Sequence, residues 1–284
     1  MCGICGMINL DGTPVDRELL AGMTDTMTAR GPDARGVWLE GAAGLGHRRL
    51  AVVDPQGGAQ PLGSEDGLVQ VVFNGELYNH RDLRPELESQ GHRLASACDT
   101  EVLPHLYEEH GPDLCLRLNG MFAFGVWDGR ARRLLLARDR LGVKPLYWCR
   151  TEKAFLFASS LNALLLHPGI ARELDPQALL LYLNYGYVPG ARTLLAGVKR
   201  LEPGCALTFT PGGEATLTRY WRCAYEPKLE LSEEDAAAAL WEKLRLSVKR
   251  RLMADVPLGA FLSGGLDSAS VAAAMTREAA GRVQ

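Results

Sequence analysis

The 284-residue sequence carries no basic stripe, no acidic tail, no internal repeat and no low-complexity tract. With a net charge of −3, it lacks the field that gathers nucleic acid or holds an anionic membrane surface. Neither is therefore an expected partner. The longest apolar stretches, such as 179–183, fall far short of the roughly 20 residues a transmembrane helix needs. The opening Met1-Cys2-Gly3-Ile4-Cys5 has neither the basic start nor the apolar core of a secretory signal. The absence of repeats excludes a solenoid. Seven cysteines, odd in number and scattered, argue against a disulfide framework and for a reducing compartment. The cytoplasm is the expected location.

Hydrophobic residues make up 47% of the chain and charged residues 23%, enough for well-formed cores in a globular protein of about two domains. The first two-thirds reads as short strands with turn signals. Residues 68–73 are rich in β-branched side chains and run into Asn74-Gly75, a strong tight-turn pair. Runs 121–127 and 133–137 flank Asp128-Gly129 as a hairpin, and 154–158 and 205–210 read as further strands. Helices are expected near 80–90, 100–109 and 176–183, the last with Asp175 as N-cap and Pro176 at its first position. Runs of strands bracketed by helices predict an α+β arrangement of antiparallel sheets. Domain boundaries are expected at 1–210, with a linker at 211–231 and a second domain from 232 to 284. Within the latter, Ser232 and Asp235 form a capping signal for a helix whose Leu240, Leu244, Val248 and Leu252 share one face. An apolar strand at 258–262, a glycine turn and a helix from about Asp267 then begin a parallel α/β domain, here incomplete.

Cys2 becomes the first residue if Met1 is trimmed. An α-amine, with a pKa of about 8, can serve as base for an adjacent thiol without any histidine. Two other readings compete: an ordinary buried cysteine, and a Cys-X-X-Cys redox or zinc pair with Cys5. Zinc wants four ligands, and no second pair follows at a suitable spacing.

Seven further motifs carry a family resemblance. They are Met1-Cys2-Gly3-Ile4, Arg30-Gly31-Pro32-Asp33, His47 to Asp54, Phe73-Asn74-Gly75-Glu76-Leu77-Tyr78-Asn79, Asp99-Thr100-Glu101, Gly120-Met121-Phe122-Ala123-Phe124, and Arg138-Asp139-Arg140-Leu141-Gly142-Val143-Lys144-Pro145-Leu146-Tyr147. In order and spacing they resemble the class II glutamine amidotransferases, and specifically the glutamine-hydrolysing asparagine synthetase family, over nearly the whole chain. That resemblance implies a four-layer αββα sandwich of the N-terminal-nucleophile type. It implies Cys2 as nucleophile, with the Asn74 side chain and Gly75 N–H as oxyanion hole. It further implies a glutamine site of Arg49, Leu50, Val52, Val53, Asn74, Gly75, Glu76 and Asp99. Chemically, Arg49 would clamp the substrate carboxylate and Asp99, with Glu76 nearby, its ammonium; a positive φ at Gly75 would aim its amide inward. Cys5 stands where the family has an apolar residue, so it is assigned to packing, with a disulfide to Cys2 as a liability.

Ser263-Gly264-Gly265-Leu266-Asp267-Ser268 sits where a strand hands over to a helix, a place where backbone N–H groups cradle phosphate. It lacks both the Lys-Ser/Thr ending of a P-loop and the G-x-G-x-x-G fingerprint. It resembles the pyrophosphate loop of ATP pyrophosphatases, which implies ATP and Mg²⁺ as cofactors of the synthetase half. Leu262, Ser263, Gly264, Gly265, Asp267 and Ser268 would bind ATP, and Asp267 would contact the metal. The implied reaction passes ammonia from glutamine to an adenylated aspartate, with ATP giving AMP and pyrophosphate. This chain, with only the start of that domain, is expected to release glutamate without synthesis. Glutamine, aspartate and ATP are the expected small-molecule partners, and a homodimer is left open. The alternatives are a relative acting on another carboxylate and a catalytically inactive glutamine-binding fragment.

Overall fold

The computed structural model describes residues 1–279. It divides into two compact units, one of Met1–Ala51 with Gln56–Arg222, the other of Val52–Pro55 with the chain from Cys223. Strands of the first unit are β1 (Gly3–Asn9), β2 (Ala34–Glu40), β3 (Ala43–Arg49), β4 (Leu62–Gly63), β5 (Val69–Leu77), β6 (Gly120–Asp128), β7 (Arg133–Arg138), β8 (Tyr147–Arg150), β9 (Ala154–Ala158), β10 (Val198–Arg200), β11 (Cys205–Phe209) and β12 (Thr216–Arg219). Its helices are α1 (Arg17–Asp25), α2 (His80–Ser89), α3 (Val102–His110), α4 (Leu114–Arg117), α5 (Leu161–Leu164) and α6 (Pro176–Tyr185). The second unit holds α7 (Glu233–Arg251) and α8 (Leu266–Glu278).

The strands form two antiparallel six-stranded sheets, ordered β10-β8-β9-β1-β3-β2 and β12-β11-β7-β6-β5-β4. Side chains alternate across a strand, so each sheet presents two faces, and here both are apolar. On β9, Phe155 and Phe157 join the layer between the sheets while Leu156 and Ala158 join the layer beneath α1 and α5. On β1, Ile4 and Ile8 turn inward and Cys5 and Met7 outward. The far face of the second sheet meets Leu83 and Leu87 of α2 and Val102, Leu103 and Leu106 of α3. Three apolar layers between four structural layers give the αββα sandwich. Among the described residues, no helix is long and apolar enough to cross a membrane.

The helix signals act as read. The Asp175 side chain accepts from the N–H groups of Gln177 and Ala178 ahead of α6, and Ser232 Oγ accepts from Asp235 N at 3.1 Å ahead of α7. Along α7, Val248 is buried with Ala274 and Met275 of α8, and Leu244 and Leu252 pack against them. Leu240, expected on the same face, is 69% exposed.

Three expectations differ from the structure. Asn74-Gly75 is not a turn: β5 runs through it to Leu77, with Asn74 opposite Ala123 and Gly75 opposite Phe122. Gly75 has no left-handed φ; it is glycine because a Cβ there would stand 2.2 Å from the Met121 carbonyl oxygen. The strand at 258–262 does not form, since a strand exists by pairing and no partner lies beside it among the described residues. The stretch 211–231, expected as a linker, contains the edge strand β12, which pairs with β11 from Cys205↔Arg219 to Thr208↔Thr216.

His47 joins the two sheets. It lies on β3, 1% exposed, and its Nε2 sits 3.1 Å from the Phe73 carbonyl of β5. Burial, against the pull of that carbonyl, lowers its pKa from 6.5 to about 4. The unfolded chain therefore binds a proton here that the folded chain refuses between those two values. The folded state's advantage is full above pH 6.5 and is lost as pH falls to about 4, on the order of 3 kcal/mol in all. His47→Gln keeps a donor for Phe73 but cannot titrate, so urea unfolding of the variant should fall less steeply between pH 6.5 and 4. Identical pH slopes in the two proteins would remove His47 from the folding balance.

Candidate functional site

The inner layer ends in polar residues. Ile4, Leu45 and Val72 belong to the layer between the sheets. Alternation places His47 and Arg49 on the same face of β3 as Leu45, and Asn74 and Glu76 on the same face of β5 as Val72. Gly3 pairs with Arg48, which brings Cys2 level with Arg49 at the end of β1. β1 and β3 both pack against β5. Cys2, Arg49, Asn74 and Glu76 thus come from three strands to the same end of the apolar layer.

Cys2 is half-buried, and its Sγ accepts from Leu50 N at 3.3 Å while facing Leu50 O at 3.7 Å. Burial raises the thiol's pKa; the Leu50 N–H, the terminal amine and Arg49 pull it down, and Asp99 pushes it further up. The thiol is therefore protonated at neutral pH and needs a base. Arg30 Nε donates to the Cys2 carbonyl at 3.0 Å, fixing the backbone beside the sulfur.

Arg49 is buried, and a Cβ at Gly58 would stand 2.4 Å from its Nη2 and 2.6 Å from Cys98 Sγ. Gly31 permits this part of β3 to be approached, since a Cβ there would stand 2.3 Å from the Arg48 carbonyl carbon. Asp99 begins a short 3₁₀ turn, Asp99–Glu101, and its Oδ2 accepts from Leu77 N at 2.8 Å. Burial raises its pKa, against the opposing pull of the Leu77 N–H and the Cys98 thiol. Asn74 is fully buried, and neither its Nδ2 nor its Oδ1 has a hydrogen-bond partner among the described residues. An amide left unpaired in a core costs about 1–3 kcal/mol, so a polar group held ready in this way calls for a reason.

Leu50 is half-buried beside Cys2. Val52 and Val53 fall in the second unit, where the Val52 carbonyl accepts from Asp255 N at 2.9 Å. Two residues were not singled out from sequence. Lys144 is 5% exposed; burial lowers its pKa against the attraction of Glu76 and Cys2. Arg30 acts through the Cys2 carbonyl. Both stood inside quoted motifs, which is the signal that could have found them.

The other cysteines differ. Cys5 is fully buried under α1, 3.4 Å from Thr24 Oγ1, and burial pushes its thiol up to about 12. Cys2 and Cys5 are both free thiols, pointing to opposite faces of the strand.

In the second unit, Gly264 has φ +81° and open space where a Cβ would stand. Ser263 Oγ and Ser268 Oγ lie 2.9 Å apart, and Ser263 Oγ accepts from Gly265 N at 3.4 Å. Asp267 lies exposed in the first turn of α8, and Leu262 is 65% exposed. Open space at a left-handed glycine and an exposed helix start suit a phosphate group.

Residues 1–221 match the family model for the glutamine amidotransferase domain, and residues 239–284 match that for asparagine synthase. The chain is 41% identical over 278 residues to asparagine synthetase [glutamine-hydrolyzing] 3 of Bacillus subtilis, covering 96% of this chain and 45% of that protein. It is 34% identical over 288 residues to the amidase chyE of Penicillium rubens, covering 96% of this chain and 42% of that protein. The chain thus spans less than half the length of these curated relatives. Among solved structures, glutamine phosphoribosylpyrophosphate amidotransferase from B. subtilis, complexed with ADP and GMP, superposes with a TM-score of 0.56 at 20% identity, covering 98% of this chain and 64% of that one. That likeness extends to the fold. With most of its length, residues 1–221, matched by a single family model, the chain belongs to the glutamine amidotransferase domain family.

Proposed function

We propose that the chain hydrolyses glutamine to glutamate and ammonia at Cys2. The observation that carries this reading is the placing of a protonated thiol, level with Arg49 and under the electrostatic influence of Asp99, at the end of the layer that holds the unpaired Asn74 amide. With Met1 removed, the Cys2 α-amine takes the thiol proton, directly or through a water. Sγ attacks the side-chain amide carbon, and the oxygen that gains charge is met by Asn74 Nδ2 and Gly75 N–H. Arg49 pairs with the substrate carboxylate. Asp99, whose buried carboxylate is otherwise pushed toward neutrality, pairs with the substrate ammonium alongside Glu76. The proton passes to the leaving nitrogen, ammonia departs, and water then cleaves the thioester. Leu50, beside Cys2, is proposed to complete the glutamine site within the first unit.

For the whole protein we propose glutamine-dependent asparagine synthesis in the cytoplasm, with aspartate and ATP as the other substrates. Leu262, Ser263, Gly264, Gly265, Asp267 and Ser268 would hold ATP, and Asp267 a Mg²⁺ ion. ATP bound there would supply the adenylation that activates the acceptor carboxylate. A second reading, in which the acceptor is a different carboxylate, follows from relatives in this family that are not all named asparagine synthetases. Aspartate-dependent formation of AMP and pyrophosphate by the whole protein decides between the two.

Intact mass of an active preparation should show the loss of one methionine; full retention of Met1 would falsify the amine-as-base mechanism. Cys2→Ala should abolish glutamate release, and Cys5→Ala should keep most of it, because Cys5 packs under α1. The reverse pattern would move the nucleophile.

Arg49→Lys keeps the charge but loses the fork, so it should raise KM for glutamine more than it lowers kcat. Asn74→Ala should instead lower kcat by about 10²–10³. If Asn74→Ala changed KM alone, the oxyanion assignment would fail.

A further inference from the structure

On the far side of the second sheet, three separate segments bring two imidazoles and two carboxylates together. Glu65 comes from the loop between β4 and β5, His92 from the loop after α2, and His105 and Glu108 from α3. His105 is 1% exposed, and neither ring nitrogen has a hydrogen-bond partner among the described residues. Its Nδ1 is 3.3 Å from Glu65 Oε2 and 3.8 Å from Glu108 Oε2. The His92 Nδ1 is 3.5 Å from Glu65 Oε1 and 3.9 Å from Glu108 Oε2. One ligand atom from each of the four residues lies within 4.8 Å of the others.

Three of the four groups are also tied outward. Glu65 Oε1 accepts from Arg93 N at 2.7 Å, and Glu108 Oε1 accepts from Arg130 Nη2 at 2.9 Å. His92 Nε2 meets Glu109 Oε1 at 3.0 Å. His105 Nε2 points toward Glu101 Oε1, at 3.9 Å, which already accepts from Ala95 N. Glu109 behind the His92 ring would hold the proton on its Nε2 and leave its Nδ1 lone pair facing inward, and the buried His105 ring has no partner at either nitrogen among the described residues. Imidazole lone pairs and carboxylate oxygens converging on one point repel unless a proton or a metal cation sits between them.

We propose that Glu65, His92, His105 and Glu108 form a structural site for a divalent transition metal of the zinc class. Two imidazole nitrogens and two carboxylate oxygens are a donor set such ions accept. Metal-to-ligand distances of about 2.0–2.2 Å give tetrahedral edges of about 3.3–3.6 Å, close to the shorter separations in the cluster, and a closing of about 1.2–1.5 Å brings in the widest, at 4.8 Å. Glu109 behind His92 acts as a positioning residue. The half-exposed Glu65 side chain leaves a way in from solvent. The ion would clip the loop carrying Glu65 and the loop carrying His92 to α3.

The test uses the full chain, stripped with chelator, supplied with Zn²⁺ and desalted, with metal content and Tm as readouts. Glutaminase activity is not measured, so the result stands apart from the reading of Cys2. About one zinc per chain and a raised Tm reversed by chelator are expected. Glu65→Gln, at an accessible position, and His105→Gln should each lose both, and Glu109→Gln should weaken binding about 10–100-fold. The Co²⁺ form should show d–d bands without a thiolate charge-transfer band. Retention of no metal, unchanged binding in Glu65→Gln, or a thiolate band placing the ion on cysteine would each overturn the proposal.

Discussion

Everything in the first unit depends on both faces of both sheets being buried. A sheet with one wet face can end its apolar layer anywhere; a sheet covered on each side cannot. The inner layer, held by Phe155, Phe157 and Phe209, therefore has to run out into polar chemistry at one end. Cys2, Arg49, Asn74 and Glu76 stand at that end because strand parity sends them to the inner faces. His47, one turn of the pleat before Arg49, fixes the two sheets against each other through the Phe73 carbonyl. A neutral imidazole suits that position, since a charge there would be buried next to Arg48 and Arg49.

The polar groups at this end are held in unfavourable states. The Cys2 thiol and the Asp99 carboxyl are pushed toward their neutral forms by burial, and the Asn74 side-chain amide has no partner among the described residues. In the proposed reaction glutamine would bring a cation to Asp99 and an oxygen to Asn74. Preorganisation of this kind carries its cost in the folded protein rather than at the moment of reaction.

Much of this was legible in the sequence where local chemistry decides the outcome. Asp175 and Ser232 cap their helices, and Asp128-Gly129 sits in the hairpin between β6 and β7, because each signal acts over three or four residues. Asn74-Gly75 misled for the same reason. The pair favours a turn locally, but β6 offers a continuous ladder on one side of it, and pairing outweighs propensity. Residues 258–262 show the converse, a strand-like composition with nothing to pair with. Alternation on β1 was readable only once the inner face was known, and the meeting of Glu65, His92 and His105 needed the tertiary fold.

The opposite facing of Cys2 and Cys5 has a consequence for quality control during folding. They stand three positions apart, an odd step, so the pleat sends one thiol inward and the other beneath α1. If β1 slipped by a single residue against β3, every side chain on it would change face, and Cys2 would leave the level of Arg49. With Cys2 as the proposed nucleophile, a chain folded in the wrong register would be silent rather than partly active. Catalytic competence in this domain would then report on the pairing of its first strand, and an assay for ammonia would double as an assay for correct assembly.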